Sequence, residues 1–425
     1  MNGILTMNDN LERYDLILKG GHVIDPDRSL NGIYDVAVRN EKIAKVAPQL
    51  PSDRAKKTIL VEGKIVCPGL IDLHTHVYEW VVSDSLCADD VGVHAGVTTV
   101  VDQGDCGSAN FLGFKAYVVE KSITDVRCFP CINILGTASP DSDKTALYGP
   151  DMVDIEALVS LAKENPQIIR GIKTHGESGI LSRWGTRVMQ LAREAADLAN
   201  LPLYLHTGIL FDVDESNRPE ADQVIDRVIP FLKRGDLVTH CYGKHSDGIL
   251  GERPKVSQSL RNAIEEGILL DLGHGFHFSF NVARQMIEQG FRPYTISSDV
   301  HGDFTVRHSD APLNYSLCGI MSKLMALGFT LEEVIAGATI NSARVLKAQT
   351  EIGTLHTGSC ADITVLDLVD GDFVFHDSTG EQLVAKQQLV PTLVIRKGQV
   401  IHPHGRLLRD LQLPIQKKEL LASNS

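Results

Sequence analysis

From Leu70 to Asp299 the chain repeats one unit: a short, mostly apolar run followed by a longer amphipathic stretch. The runs are Leu70–His76, Thr98–Asp102, Cys128–Leu135, Ile168–Thr174, Pro202–Thr207, Leu237–Tyr242, Ile268–Leu272 and Thr295–Asp299. Strands that are apolar along their length, rather than at every second residue, need cover on both faces, as in a parallel sheet between helices. The intervening segments supply that cover. In RVMQLAREAADLAN, for example, Val188, Leu191, Ala195 and Leu198 share one face at helical spacing. Eight strands alternating with helices is the count of a (β/α)8 barrel, which takes roughly 250 residues. A doubly wound sheet uses the same units, but no G-x-G-x-x-G follows the first strand to open a dinucleotide site.

The flanks have another texture. YDLILKGGHVIDP and YDVAVRNEKIAKVAP are strand-like and stop at Gly-Gly, Asp-Pro and Arg-Asn-Glu; GSCADITVLDL and LVPTLVIRKGQVI match them near the C-terminus. Each end alone has too few strands to bury a face. The two ends are therefore expected to meet as one discontinuous β-sandwich domain, 1–66 with 350–425, around a 67–349 barrel.

Function is constrained by where polar residues interrupt the apolar runs. The reactive groups of a (β/α)8 barrel sit at the C-terminal ends of its strands, which share one mouth. Here the first run ends in His74 and His76, the fourth reaches Lys173, the fifth His206, the sixth His240 and the eighth Asp299. His74 and His76 are two apart, so on a strand both point the same way. Imidazole and carboxylate donors converging from four strands, with a lysine from a fifth, suit zinc or its neighbours. Lys173 fits such a site only without its proton, and burial beside cations removes that proton. A neutral amine can take up carbon dioxide as a carbamate, whose two oxygens can bridge two ions. Asp299 can touch a metal with one oxygen and accept a proton from water with the other.

These motifs resemble the amidohydrolase superfamily. The first is CPGLIDLHTHV, with the later Lys, His, His and Asp strand ends. VTHCYGKHSDGIL, LDLGHGFHFSF, TISSDVHG and LCGIMSKLMALG are similar to its amidohydrolase/deacetylase, or dihydroorotase-like, branch. The resemblance runs from about Tyr14 to Ile401. It implies two divalent ions, zinc by preference: His74, His76 and Asp299 on a buried ion, His206 and His240 on an exposed one. Lys173 would bridge them as N6-carboxylysine. A metal-bound hydroxide would attack a carbonyl carbon, with Asp299 shuttling the proton to the leaving group.

The resemblance also ranks substrates. Dihydroorotases of this branch place Arg two residues after the second histidine, and here that residue is Tyr78; nor does the deaminase pattern His-x-x-Glu follow His206 or His240. The expected activity is cleavage of an amide or ester bond in a small acylated carboxylate, as in deacetylases. The alternatives are a cyclic amide hydrolase of dihydroorotase or hydantoinase type, or a catalytically inactive dihydroorotase-like assembly protein. His274, Tyr242 and His301 are candidate substrate contacts, with His277 a lesser one. His175 and Arg183 are placed to bind a carboxylate or simply to occupy a surface loop.

Charge and composition close off other classes. The net charge of -13, without a basic run, argues against nucleic acid. No segment reads as a membrane span or signal peptide, and eight cysteines in 425 residues do not make a disulfide framework. Cys128 and Cys131 form one C-x-x-C that continues as a strand, so they are read as core residues. A cytoplasmic enzyme acting on small molecules, in a possible homo-oligomer, is expected.

Overall fold

The computed structural model describes residues 13–137, 142–302, 316–404 and 406–408. β1 (Tyr14–Asp25) pairs antiparallel with β2 (Leu30–Arg39), which turns back into β3 (Lys42–Ala47). The β2–β3 corner holds Asn40 and Glu41 at φ +52° and +60°, the left-handed pair that a two-residue hairpin turn demands. β4 (Ala55–Leu60) and β5 (Ile65–Pro68) then pair with β1 in parallel.

The barrel follows at once. β6 (Leu70–Thr75), β7 (Val97–Asp102) and β8 (Asp125–Cys128) form one parallel ladder. β9 (Ile172–His175), β10 (Leu203–His206), β11 (Leu237–Val238) and β12 (Leu269–Leu270) form a second. Single parallel bridges join the two ladders at Cys128–Ile169 and Cys131–Lys173. Others carry the sheet through the eighth run, at Asp271–Thr295 and Thr75–Val300, back to β6. The eight runs thus close on themselves as a (β/α)8 barrel.

The strands are shorter or shifted against expectation: the fourth starts only at Ile172 and the seventh is paired only at Leu269–Leu270. The third begins at Asp125, before Cys128, and its ladder ends there; Pro130 follows and has no N–H to donate. The sixth is paired only at Leu237–Val238, and the eighth only through bridges at Thr295 and Val300. At the ends of these two runs His240 and Asp299 take φ values of +60° and +51°, outside the extended range of a regular strand.

β13 (Ile363–His376), β14 (Gln382–Arg396) and β15 (Gln399–Ile401) complete the terminal sheet in the order β15-β14-β13-β5-β1-β2-β3, with β4 against β1. At the far edge Ile43 N donates to Ser359 O at 2.9 Å and Gly358 N to Ile43 O at 2.8 Å, so the sheet curls around its own core. Leu18, Val36, Val38, Ile43, Val66, Ile363, Leu393 and Ile395 fill that core, from both ends of the chain. The division expected at 66/67 falls inside β5, because the chain passes from sheet to barrel only at Gly69.

The β13–β14 hairpin is shared between the two bodies. Phe373, Phe375, Ala385 and Leu389 pack into the barrel's core, and Leu389 N donates to Ser322 Oγ on the helix Leu317–Ala326. Cys128 and Cys131 are buried free thiols in the barrel wall. No helix among the described residues is long and apolar enough to cross a membrane.

Candidate metal centre

The six residues singled out at the strand ends come together in two adjoining groups. His74, His76 and Asp299 form the first; His206 and His240 form the second, joined by His277. Asp299 Oδ1 lies 3.1 Å from His74 Nε2 and 3.3 Å from His76 Nε2. In the second group His240 Nε2 is 2.9 Å from His206 Nδ1. Lys173 stands between them: its Nζ is 3.4 Å from His74 Nε2, and its charge also bears on His206 and His240. All these side chains are buried.

The ring orientations are set from behind. Asp271 accepts hydrogen bonds from Tyr204 Oη (2.5 Å), Thr295 Oγ1 (2.6 Å), Ser297 Oγ (2.7 Å) and Thr239 Oγ1 (2.9 Å). The Tyr204 hydroxyl therefore has only its oxygen left for His74 Nδ1, at 3.0 Å. His74 must then carry its hydrogen on Nδ1 and present the Nε2 lone pair forward. Asp105 Oδ1 does the same for His76 through Nδ1 at 2.5 Å, and Gly273 O for His240 through Nδ1 at 2.7 Å. Asp105 is itself held by Ser85, Thr137 and the Tyr78 N–H.

Two glycines make room. A Cβ on Gly273 would stand 2.1 Å from Thr239 Oγ1, and one on Gly275 would stand 2.0 Å from Asp299 Oδ2. Both also take positive φ, which glycine alone adopts freely.

The electrostatics fit cation binding. Burial pushes the His74 ring well below its ordinary pKa, so it is a neutral donor. Burial likewise brings the Lys173 ammonium down to about 8. Burial raises Asp299, but His301, His76 and His240 outweigh it and hold the carboxyl below its ordinary range. Among the described residues its buried Oδ2 has no hydrogen-bond partner. A buried carboxylate oxygen of this kind is costly unless something cationic or protic meets it. The donor set, four imidazoles and a carboxylate around a lysine, is one that divalent metals accept.

The remaining candidates separate. His301 stacks on His76 at 4.2 Å between ring centroids, with Nε2 3.7 Å from Asp299 Oδ1. His175 is buried at the end of β9, between the rings of Tyr148, Phe211 and His206. Two others turn aside. Tyr242 donates to Phe291 O at 3.0 Å, and His274 stacks on Phe278 with Nε2 3.0 Å from Lys323 Nζ. The ring that enters the site from that loop is His277, its Nε2 3.7 Å from Asp299 Oδ2. Arg183 reaches the Asp212 carbonyl from an exposed position. Tyr78 buries its ring against Phe114 and donates to Asn110 O, so this position offers the site no cation.

A deacetylase of Agrobacterium fabrum is 31% identical over 361 residues, covering 85% of this chain and 84% of its own. The chain belongs to the amidohydrolase family. The family's sequence profile itself matches residues 279–401, the stretch that carries Asp299. Among solved amidohydrolase structures, one titled an adenine deaminase is 27% identical with a TM-score of 0.79, covering 92% of this chain and 100% of its own. A dihydroorotase is 28% identical with a TM-score of 0.77, covering 91% and 99%. The chain is accordingly a metal-dependent hydrolase with the barrel fold of that family.

Proposed function

We propose that this amidohydrolase removes an acyl group from a small acylated carboxylate, cleaving an amide or ester bond. The observation that carries the reading is Asp299. One oxygen faces both His74 and His76, and the other is buried, with no hydrogen-bond partner among the described residues, where the second histidine group begins. His74, His76 and Asp299 would hold one cation and His206 and His240 another, with Lys173 as N6-carboxylysine joining them. Zinc suits these nitrogen and oxygen donors best. Two such cations supply Lewis acidity toward the scissile carbonyl and lower the pKa of an attacking water.

The chain's own residues do the rest. Asp299 Oδ2 takes the proton from the attacking water and returns it to the departing nitrogen or oxygen. Tyr204, Asp105 and Gly273 keep the histidine donors aimed, so little reorganisation is needed during the reaction. His175, packed against Tyr148 and Phe211, backs the His206 ring.

Acyl release is favoured over ring opening of dihydroorotate by Tyr78, which is turned into the core and cannot grip a carboxylate as a guanidinium fork does. The deacetylase name of the Agrobacterium relative supports the same choice. The decisive experiment is a screen of N-acetyl and O-acetyl carboxylates in both stereoisomers, with dihydroorotate and a hydantoin alongside. Hydrolysis confined to acylated carboxylates is expected. Preferential hydrolysis of dihydroorotate, with kcat/KM at or above about 10⁴ M⁻¹s⁻¹, overturns the reading.

A further inference from the structure

His277 and His245 form a pair that the reaction as described does not use. Their loops are zipped together by the backbone: Lys244 N donates to His277 O at 2.8 Å, and Gly243 bridges Phe278. This brings His245 Nε2 to 2.7 Å from His277 Nδ1. The His277 ring is buried and packed between His240 and Phe276, at centroid distances of 3.9 and 4.0 Å. Its position is over-determined, and its free nitrogen, Nε2, points toward Asp299 Oδ2 at 3.7 Å.

In a hydrogen-bonded pair of neutral rings one nitrogen donates and the other accepts. If His277 donated to His245, its Nε2 lone pair would face a buried carboxylate oxygen, which is repulsive at low dielectric. If His245 donates, His277 carries its hydrogen on Nε2 and offers an N–H to that oxygen. With the second cation held by His206 and His240 alone, as proposed above, the second arrangement wins. At 3.7 Å the N–H cannot bond Asp299 directly, so it is left to meet an acceptor that enters the site on the His277 side of that carboxylate. His240 does not compete, because its Nδ1 is bound to Gly273 O.

We propose that His277 donates from Nε2 to the substrate's carbonyl oxygen beside Asp299, and that His245 is the positioning residue that makes it a donor. Because charge grows on that oxygen as water adds to the carbonyl, the contact strengthens toward the transition state. The proposal rests on the hydrolytic reading above, and its test separates the two.

The first arm needs no substrate. In zinc-loaded protein with ¹⁵N-labelled histidine, the signal lost in His277→Ala identifies His277. It should show a hydrogen on Nε2, and a mixture of tautomers in His245→Phe. A hydrogen on Nδ1, or a metal-bound Nε2 together with loss of one zinc in His277→Ala, overturns the proposal whatever the substrate. The second arm uses whichever acylated carboxylate the wild type hydrolyses. His277→Ala should lower kcat by about 10²–10³-fold, as loss of one such donor does, with KM and zinc content little changed. His277→Gln, which keeps an N–H, guards against simple misfolding and should lose less. His245→Phe should lower kcat about 10-fold and His245→Gln should recover most of it. Unchanged kcat in folded His277→Ala refutes the donor. An intact Nε2–H with no acylated carboxylate turned over refutes the substrate class alone.

Discussion

Replacing Tyr204 by Phe removes one oxygen from the wall behind the metal site and tests how that wall acts. The hydroxyl donates to Asp271 and accepts from His74 Nδ1. Asp271 keeps three donors, Thr239, Thr295 and Ser297, so its carboxylate is not orphaned. The stability cost should therefore sit near the low end for a hydrogen bond to a charged group, about 1.5 kcal/mol. His74 fares worse. Its next acceptor, Thr239 Oγ1, is 3.5 Å away and already donates to Asp271. With its Nδ1–H unfixed the ring samples both tautomers, and zinc affinity should fall about 10–100-fold, as losses behind a metal ligand do. Chelator competition followed by zinc titration, with thermal unfolding of the metal-free protein, separates the two effects. A melting temperature that drops while zinc affinity stays within twofold would refute the tautomer argument, leaving Tyr204 only a core residue.

Asp299→Asn keeps the shape and one coordinating oxygen but cannot take a proton; turnover should fall about 10²–10⁴-fold while elemental analysis finds little metal lost. Lys173→Ala should lose most activity and part of the metal, and short carboxylic acids should restore some of both by filling the gap; full activity would remove the lysine from the site. Glu177 supplies a test of burial away from the metals. It caps the helix Ser178–Trp184 and is raised by burial to about 7 from an ordinary 4.5. A raised acid contributes stability below its unfolded pKa and loses it as pH climbs through the folded one. From pH 5 to 8 the wild type should thus lose up to about 3 kcal/mol relative to Glu177→Gln, read as converging or crossing melting temperatures.

The amino-acid sequence by itself determined the repeat of apolar runs, and with it the barrel, because burial on both faces leaves a pattern that needs no partner to be read. It marked the candidate metal donors for the same reason: a histidine, lysine or aspartate at the end of an apolar strand has no local explanation, and five strand ends agree. What it could not determine was direction. His274 and His277 stand three apart in GHGFHF, and either ring suits a barrel mouth. Only folding decided that His274 meets Lys323 and that His277 enters the site, because Gly243–His245 pairs with the second half of that loop. Tyr242 stands two residues after the candidate metal donor His240, yet its hydroxyl ends at Phe291. The positive φ of His240 and Asp299 was equally hidden, as was the need for glycine at 273 and 275, where a Cβ would strike Thr239 and Asp299. Asp271, Asp105 and Tyr204 carry no motif either. Each acts through a hydrogen bond to a residue 29 to 130 positions away, and contacts of that range exist only once the barrel has closed.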